Sequence, residues 1–117
     1  MDTLNFENLR VYQKGVEYVD ELYQETKNWS KEHLYSLTDQ LRRAGLSIVL
    51  NIAEGSSRTK KEYRHFLDLS RGSCYESIAC WEIVLRQEIV RPHVHNKFRQ
   101  YLVDLTKMIS GLKRSLI

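Results

Sequence analysis

The chain has 117 residues, a formal net charge of +3, two cysteines and one proline. That length supports one domain, residues 1–117, with a core of its own that needs neither disulfide nor metal, and a content of 42% apolar and 28% charged residues is ordinary for a globular protein. No basic stretch leads into an apolar leader and no apolar run approaches 18 residues, so secretion and membrane insertion are not indicated and a cytoplasmic protein is expected.

The charge is unevenly spread. Residues 1–37 hold four Lys/Arg against seven Asp/Glu, whereas residues 38–75 and 76–117 each hold seven against four. An acidic first segment and a basic remainder can steer an anionic partner, or can pair with each other between neighbouring helices or subunits.

Apolar periodicity predicts four helices. In the first, about residues 7–27, Leu9, Tyr12, Val16, Val19 and Tyr23 alternate spacings of three and four and read as the packing seam. Val11, Gly15, Tyr18 and Leu22 form a second stripe beside it. The second helix is announced by Ser36 and Asp39 as a capping pair, runs through Leu37, Leu41, Ala44, Ile48 and Ile52, and stops at Gly55, read as a left-handed helix end. A third helix of roughly 28 residues, at helical period, opens on a Thr59/Glu62 capping box and carries Tyr63, Phe66, Leu67, Ser70, Cys74, Ile78, Trp81 and Leu85. Its second side shows Leu69, Gly72, Ala79, Cys80 and Ile83, and Gly72 suggests a close helix approach, since glycine in mid-helix costs about 1 kcal/mol against alanine. Pro92 marks the last connection, and Phe98, Tyr101, Leu102, Leu105, Ile109, Leu112 and Leu116 line the fourth helix.

Short connections make an antiparallel up-down-up-down four-helix bundle the simplest all-α architecture, with an elongated array as the alternative. The surplus stripes on the first and third helices lead us to expect a homo-oligomer.

Residue chemistry points away from an enzyme. Glu62-x-x-His65 is a single metal-like pair, where a di-metal bundle needs two such pairs and two more carboxylates. His93 and His95 read as an exposed turn beside Pro92, and His33 falls in a loop or helix end. Cys74 and Cys80, six apart on one helix, point in different directions and lack an activating neighbour. No metal, cofactor or catalytic residue is therefore assigned.

Two polar features remain. On the second helix Gln40, Arg43, Ser47, Asn51 and Glu54 share one side. They form either a satisfied network that fixes register, with Ser47, Asn51 and Glu54 at its heart, or a binding surface. The basic run Arg58, Lys60, Lys61 and Arg64 surrounds the start of the third helix, where free amides and the helix dipole favour an anion. No aromatic platform of the single-strand-binding kind is interleaved with those charges, so nucleic acid there would be held by its backbone, with little sequence discrimination.

The segments FENLRVYQKG (6–15), LTDQLRRAGLSIVLNIAEGSSR (37–58) and KEYRHFLDLSRGSCYES (61–77) resemble the family of 23S rRNA intervening sequence proteins, which includes accessory proteins of diversity-generating retroelements. The match runs from Phe6 to about Ile89 and departs at Val49, where the family commonly has Pro and a kink, and at Arg71, where it has a small residue. The resemblance implies a bundle assembling into a ring, commonly a pentamer, and an architectural role for Asn51 and Glu54. It further implies a non-enzymatic scaffold for structured nucleic acid, RNA before DNA, acting through Arg42, Arg43, Arg58, Lys60, Lys61 and Arg64. The alternative is a protein-interaction ring, for example beside a reverse transcriptase, with no nucleic-acid role.

Overall fold

The computed structural model describes residues 3–117. Helix α1 spans Arg10–Thr26, α2 Asp39–Ser56, α3 Lys60–Arg86 and α4 Pro92–Ser115, and no strand occurs among the described residues. Each helix packs against its neighbour in sequence and α4 returns to α1, closing a four-helix bundle measuring 42 × 30 × 23 Å.

The chain enters α1 later than the periodicity predicts. Asn5–Asn8 form a separate 3-10 turn, and Leu9 is extended with φ −72° and ψ 129°, so the helix begins at Arg10. The two stripes of α1 also exchange roles: Val11, Gly15, Tyr18, Leu22 and Thr26 are buried, whereas the expected seam is half-buried at Tyr12, Val19 and Tyr23 and exposed at Val16. Gly15 explains the rotation. A Cβ there would lie 2.6 Å from Val49 Cγ1, so the face with no side chain at its middle is the one that admits α2.

Two signals read at the ends of α2 are overturned. Ser36 does not cap the helix: its hydroxyl donates to the His33 carbonyl (3.3 Å), and Leu34–Thr38 wind as a π turn directly into α2. The Asp39 amide is thereby already bonded to the Leu34 carbonyl, which removes the need for a side-chain cap. Gly55 is not left-handed, for no described glycine has positive φ. It is buried in the last turn of α2, where a Cβ would meet Phe66 Cβ at 2.7 Å and Tyr63 Cδ1 at 2.8 Å, so glycine is required by the approach of α3. With Val49 in place of proline, α2 runs without a break from Asp39 to Ser56.

The Thr59/Glu62 capping box forms as predicted, with the Thr59 hydroxyl accepting from the Glu62 amide (3.2 Å) and the Glu62 carboxylate accepting from the Thr59 amide (3.3 Å). Along α3 the buried line is Leu67, Ser70, Cys74, Ser77, Cys80, Trp81 and Val84. Ser70 donates to the Ile48 carbonyl across the α2–α3 contact (2.7 Å), which satisfies a hydroxyl that full burial would otherwise strand. Leu69, Gly72, Ala79 and Ile83 face outward, and within the chain nothing lies within 4 Å of a Cβ placed on Gly72. The close helix approach expected at Gly72 is thus absent inside the bundle. After α3 the chain turns through Glu88, whose φ of 58° is the one positive value outside glycine among the described residues, and Pro92 occupies the first position of α4.

The two glycines therefore have opposite sensitivities. Gly55→Ala is expected to destabilise by about 1–3 kcal/mol through overpacking, and Gly72→Ala to stabilise by about 1 kcal/mol through helix propensity. Urea midpoints of the two variants, moving in opposite directions from the parent, check this.

Candidate functional site

The six cations singled out by sequence do not form one surface. Arg42 and Arg43 sit in the first turns of α2, and Arg58, Lys60, Lys61 and Arg64 lie past its far end. The fifteen residues from Arg43 to Arg58 separate the groups by roughly 22 Å along the helix.

Arg42 is committed to the fold. It is half-buried, its Nε donates to the Thr26 hydroxyl (3.0 Å), and its guanidinium lies 4.5 Å above the Tyr23 ring. Arg43 is exposed and pairs with Asp39 one turn back (2.9 Å).

At the other end Arg58 is held by Glu54 (2.5 Å) and lies 4.0 Å from Glu62, and its guanidinium faces the Phe66 ring. The compensation that positive charge at a helix start calls for thus comes from two carboxylates of the chain itself. Hydrogen bonds from the Thr59 hydroxyl and amide hold the Glu62 carboxyl below the usual carboxylate range, and this cap role takes Glu62 out of any metal pair with His65. Lys60, Lys61 and Arg64 are exposed and take part in none of the ion pairs found among the described residues.

The polar stripe of α2 divides as well. Asn51 Nδ2 donates to the Ser47 carbonyl (2.8 Å) and hydroxyl (3.0 Å), and Ser73 of α3 donates to the Ser47 hydroxyl (2.8 Å). Two turns earlier Gln40 donates to the Glu76 carboxylate. These bonds pin the α2–α3 register. Glu54, grouped with Ser47 and Asn51 by sequence, lies outside them because its carboxylate turns forward to Arg58.

A feature the sequence reading missed appears between α3 and α4. A chain of adjoining hollows follows their outer groove, lined by Arg64, Arg71, Arg99, Lys107, Lys113 and Arg114. Asp68 is the one carboxylate in that lining, and it is paired with Lys113 (2.7 Å). Tyr75 stands among these cations, 56% exposed, with Arg71 Nη2 donating to its hydroxyl (3.1 Å) and the guanidinium 5.2 Å from its ring. The exposed aromatic platform that the basic run lacks is supplied by the fold. A signal for this groove was present in the pairs Arg64/Arg71 and Lys107/Arg114, each seven residues apart and so on one helix face. Nothing linear joins the two pairs, because they lie on different helices. Another hollow, between α1 and α4, mixes Arg10, Lys14 and Lys107 with Glu17 and Asp104, and its charges largely offset one another.

The profile described as 23S rRNA-intervening sequence protein matches residues 7–111. The chain belongs to this family. A solved protein of unknown function from the S23 ribosomal protein family of Bacteroides thetaiotaomicron shares the fold, with a TM-score of 0.83 at 18% identity over 89% of this chain and 95% of that one. No curated protein matches the chain.

Other chemistry at these sites is sparse. Among the described residues no group of three His, Cys, Asp or Glu side chains is placed to hold a metal ion, and no helix is long and apolar enough to cross a membrane. His95, expected in an exposed turn, is buried in the first turn of α4 with Nε2 3.7 Å from Glu82, because Pro92 starts the helix and directs that side chain onto α3. Burial pushes the Cys74 thiol up to about 12 and the Cys80 thiol to about 11. Both thiols are therefore expected to resist iodoacetamide at pH 8 in the native protein and to react in urea, as mass spectrometry of the labelled chain will read.

Proposed function

We propose that this member of the family is a non-catalytic, homo-oligomeric bundle that binds structured nucleic acid, RNA before DNA, through the α3–α4 groove and the adjoining start of α3. The observation that carries this reading is the groove: six cations face one carboxylate, and that carboxylate is already paired. Like charges held this close repel one another, and a polyanion relieves that repulsion while releasing its own counterions. Arg64 joins the groove to Lys60 and Lys61, so the surface begins at the first turn of α3 and follows the helix. Guanidinium and ammonium groups along a helix groove contact phosphates, which accounts for binding with little sequence discrimination. Of the cations named from sequence, Lys60, Lys61 and Arg64 belong to this surface, whereas Arg42 and Arg58 hold the fold and Arg43 lies at the far end of α2.

Self-association is supported by a different face. Leu46 and Leu50 on α2 and Leu69 and Ile83 on α3 are exposed, and Leu50 and Leu69 flank the Ser47–Ser73 hydrogen bond. Exposed apolar residues on two adjoining helices are suited to contact with another copy, and the family resemblance makes a pentameric ring the assembly to test. The same leucines also suit a protein partner such as a reverse transcriptase, the second reading, in which the cations would have no nucleic-acid role.

Salt separates the two. Affinity for an RNA hairpin is expected to fall steeply with rising salt, and the triple variant Lys60→Ala, Lys61→Ala, Arg64→Ala to bind more weakly with a shallower salt slope, while Arg43→Ala binds as the parent does. Fluorescence anisotropy across a salt series, with light scattering to show that assembly is unchanged, measures both. Absence of binding at low salt would leave the protein-interaction reading.

A further inference from the structure

Tyr75 is a large side chain in an unusual position for one that serves only the fold. It is more than half exposed at mid-helix, and three adjoining hollows share it: one with Asp68, Arg71 and Gly72, one with Lys107 and Arg114, and one with Ile78 and Arg99. The ring is held in place without being covered, since Arg71 both donates to its hydroxyl and lies 5.2 Å from its centroid. Gly72 leaves open space beside it, because nothing lies within 4 Å of the position a Cβ would take. Glycine there costs the helix about 1 kcal/mol, and no packing inside the bundle requires it. An exposed, fixed aromatic ring beside a vacant hollow, ringed by cations, has the parts needed to take a flat apolar group attached to an anion.

We infer that Tyr75 is a stacking site for an unpaired nucleobase, with Arg71 and the neighbouring Lys107 and Arg114 holding the phosphates on either side of it. This deepens the nucleic-acid reading and rests on it: the groove binds a helical RNA at its backbone and selects those with a nucleotide turned out of the stack. A base in a continuous duplex presents no free face, whereas a bulged or looped base does. The indifference of stacking to base identity keeps sequence discrimination low while giving a preference for structure. A hydroxyl is not needed for stacking, so phenylalanine can stand in for Tyr75, and alanine cannot.

The test uses one RNA hairpin in two forms, fully paired and with a single bulged 2-aminopurine, whose fluorescence falls when it stacks. The full chain is expected to bind the bulged form about 5- to 150-fold more tightly than the paired form, with quenching on binding. Tyr75→Phe is expected to retain both effects. Tyr75→Ala is expected to bind both hairpins with the affinity the parent shows for the paired one, without quenching and with its salt slope unchanged. Gly72→Leu, which fills the hollow with a good helix former, is expected to behave like Tyr75→Ala. Equal binding of the two hairpins by the parent, or a bulge preference that survives in Tyr75→Ala, overturns the stacking site while leaving the groove intact. Failure of the parent to bind either hairpin at low salt overturns the nucleic-acid reading itself.

Discussion

The fully buried indole of Trp81 stacks on Phe98, with ring centroids 4.5 Å apart and planes within 8° of parallel, and donates its N–H to the Tyr18 hydroxyl at 3.1 Å. One side chain thereby ties α3 to α4 by stacking and to α1 by a hydrogen bond. The bond is reciprocal in its effect: an indole N–H or a phenol left unpaired at this depth would cost about 1–3 kcal/mol, so each group makes burial of the other tolerable. The same burial pushes the Tyr18 hydroxyl well above its ordinary range and keeps it neutral. With Trp81 directed inward, the rotation of α3 about its own axis is set. Arg64, Arg71 and Tyr75 must then lie along its outer edge beside α4, and Leu69 and Ile83 along the edge beside α2.

That rotation divides the charges of the bundle into two kinds. Arg42, Arg58, Lys97 and Lys113 are engaged with Thr26, Glu54, Glu21 and Asp68 respectively, and they hold helix to helix or brace a turn. Around Glu21 the binding is dense, for Tyr101 also donates to its carboxylate, and these bonds hold the Glu21 carboxyl below the usual carboxylate range. Lys60, Lys61, Arg64, Arg71 and Arg114 have no such carboxylate partner among the ion pairs described. Cations so grouped repel one another, and the potential they create is what a polyanion would meet first.

Much of the fold was legible in the sequence because it follows from local rules. Four helices and the Thr59/Glu62 box depend on a few neighbouring residues and hold in the structure. The misreadings share a cause, which is contact between distant segments. Gly55 and Gly15 look like a helix stop and an ordinary stripe member until α3 and α2, respectively, are brought within 3 Å of where a Cβ would stand. Ser36 looks like a cap until the preceding residues wind as a π turn. Site residues followed the same pattern: the run 58–64 was visible as a cluster because its charges are adjacent, and the α3–α4 groove was not, because residues 64–75 and 99–114 meet only in the bundle. Arg42 and Arg43 are neighbours in sequence, yet one lies on Tyr23 and the other in solvent.

The central claim, that the outer groove of α3 and α4 is the working surface, is most directly tested by arginine footprinting. Phenylglyoxal modification of the native protein, read by peptide mass spectrometry with and without a structured RNA, reports each arginine separately. Protection of Arg64, Arg71 and Arg114, with Arg43 and Arg86 modified equally in both samples, is the predicted result. Protection confined to Arg43, or to none of the groove arginines under conditions where the RNA is bound, would contradict the account and move the surface elsewhere on the bundle.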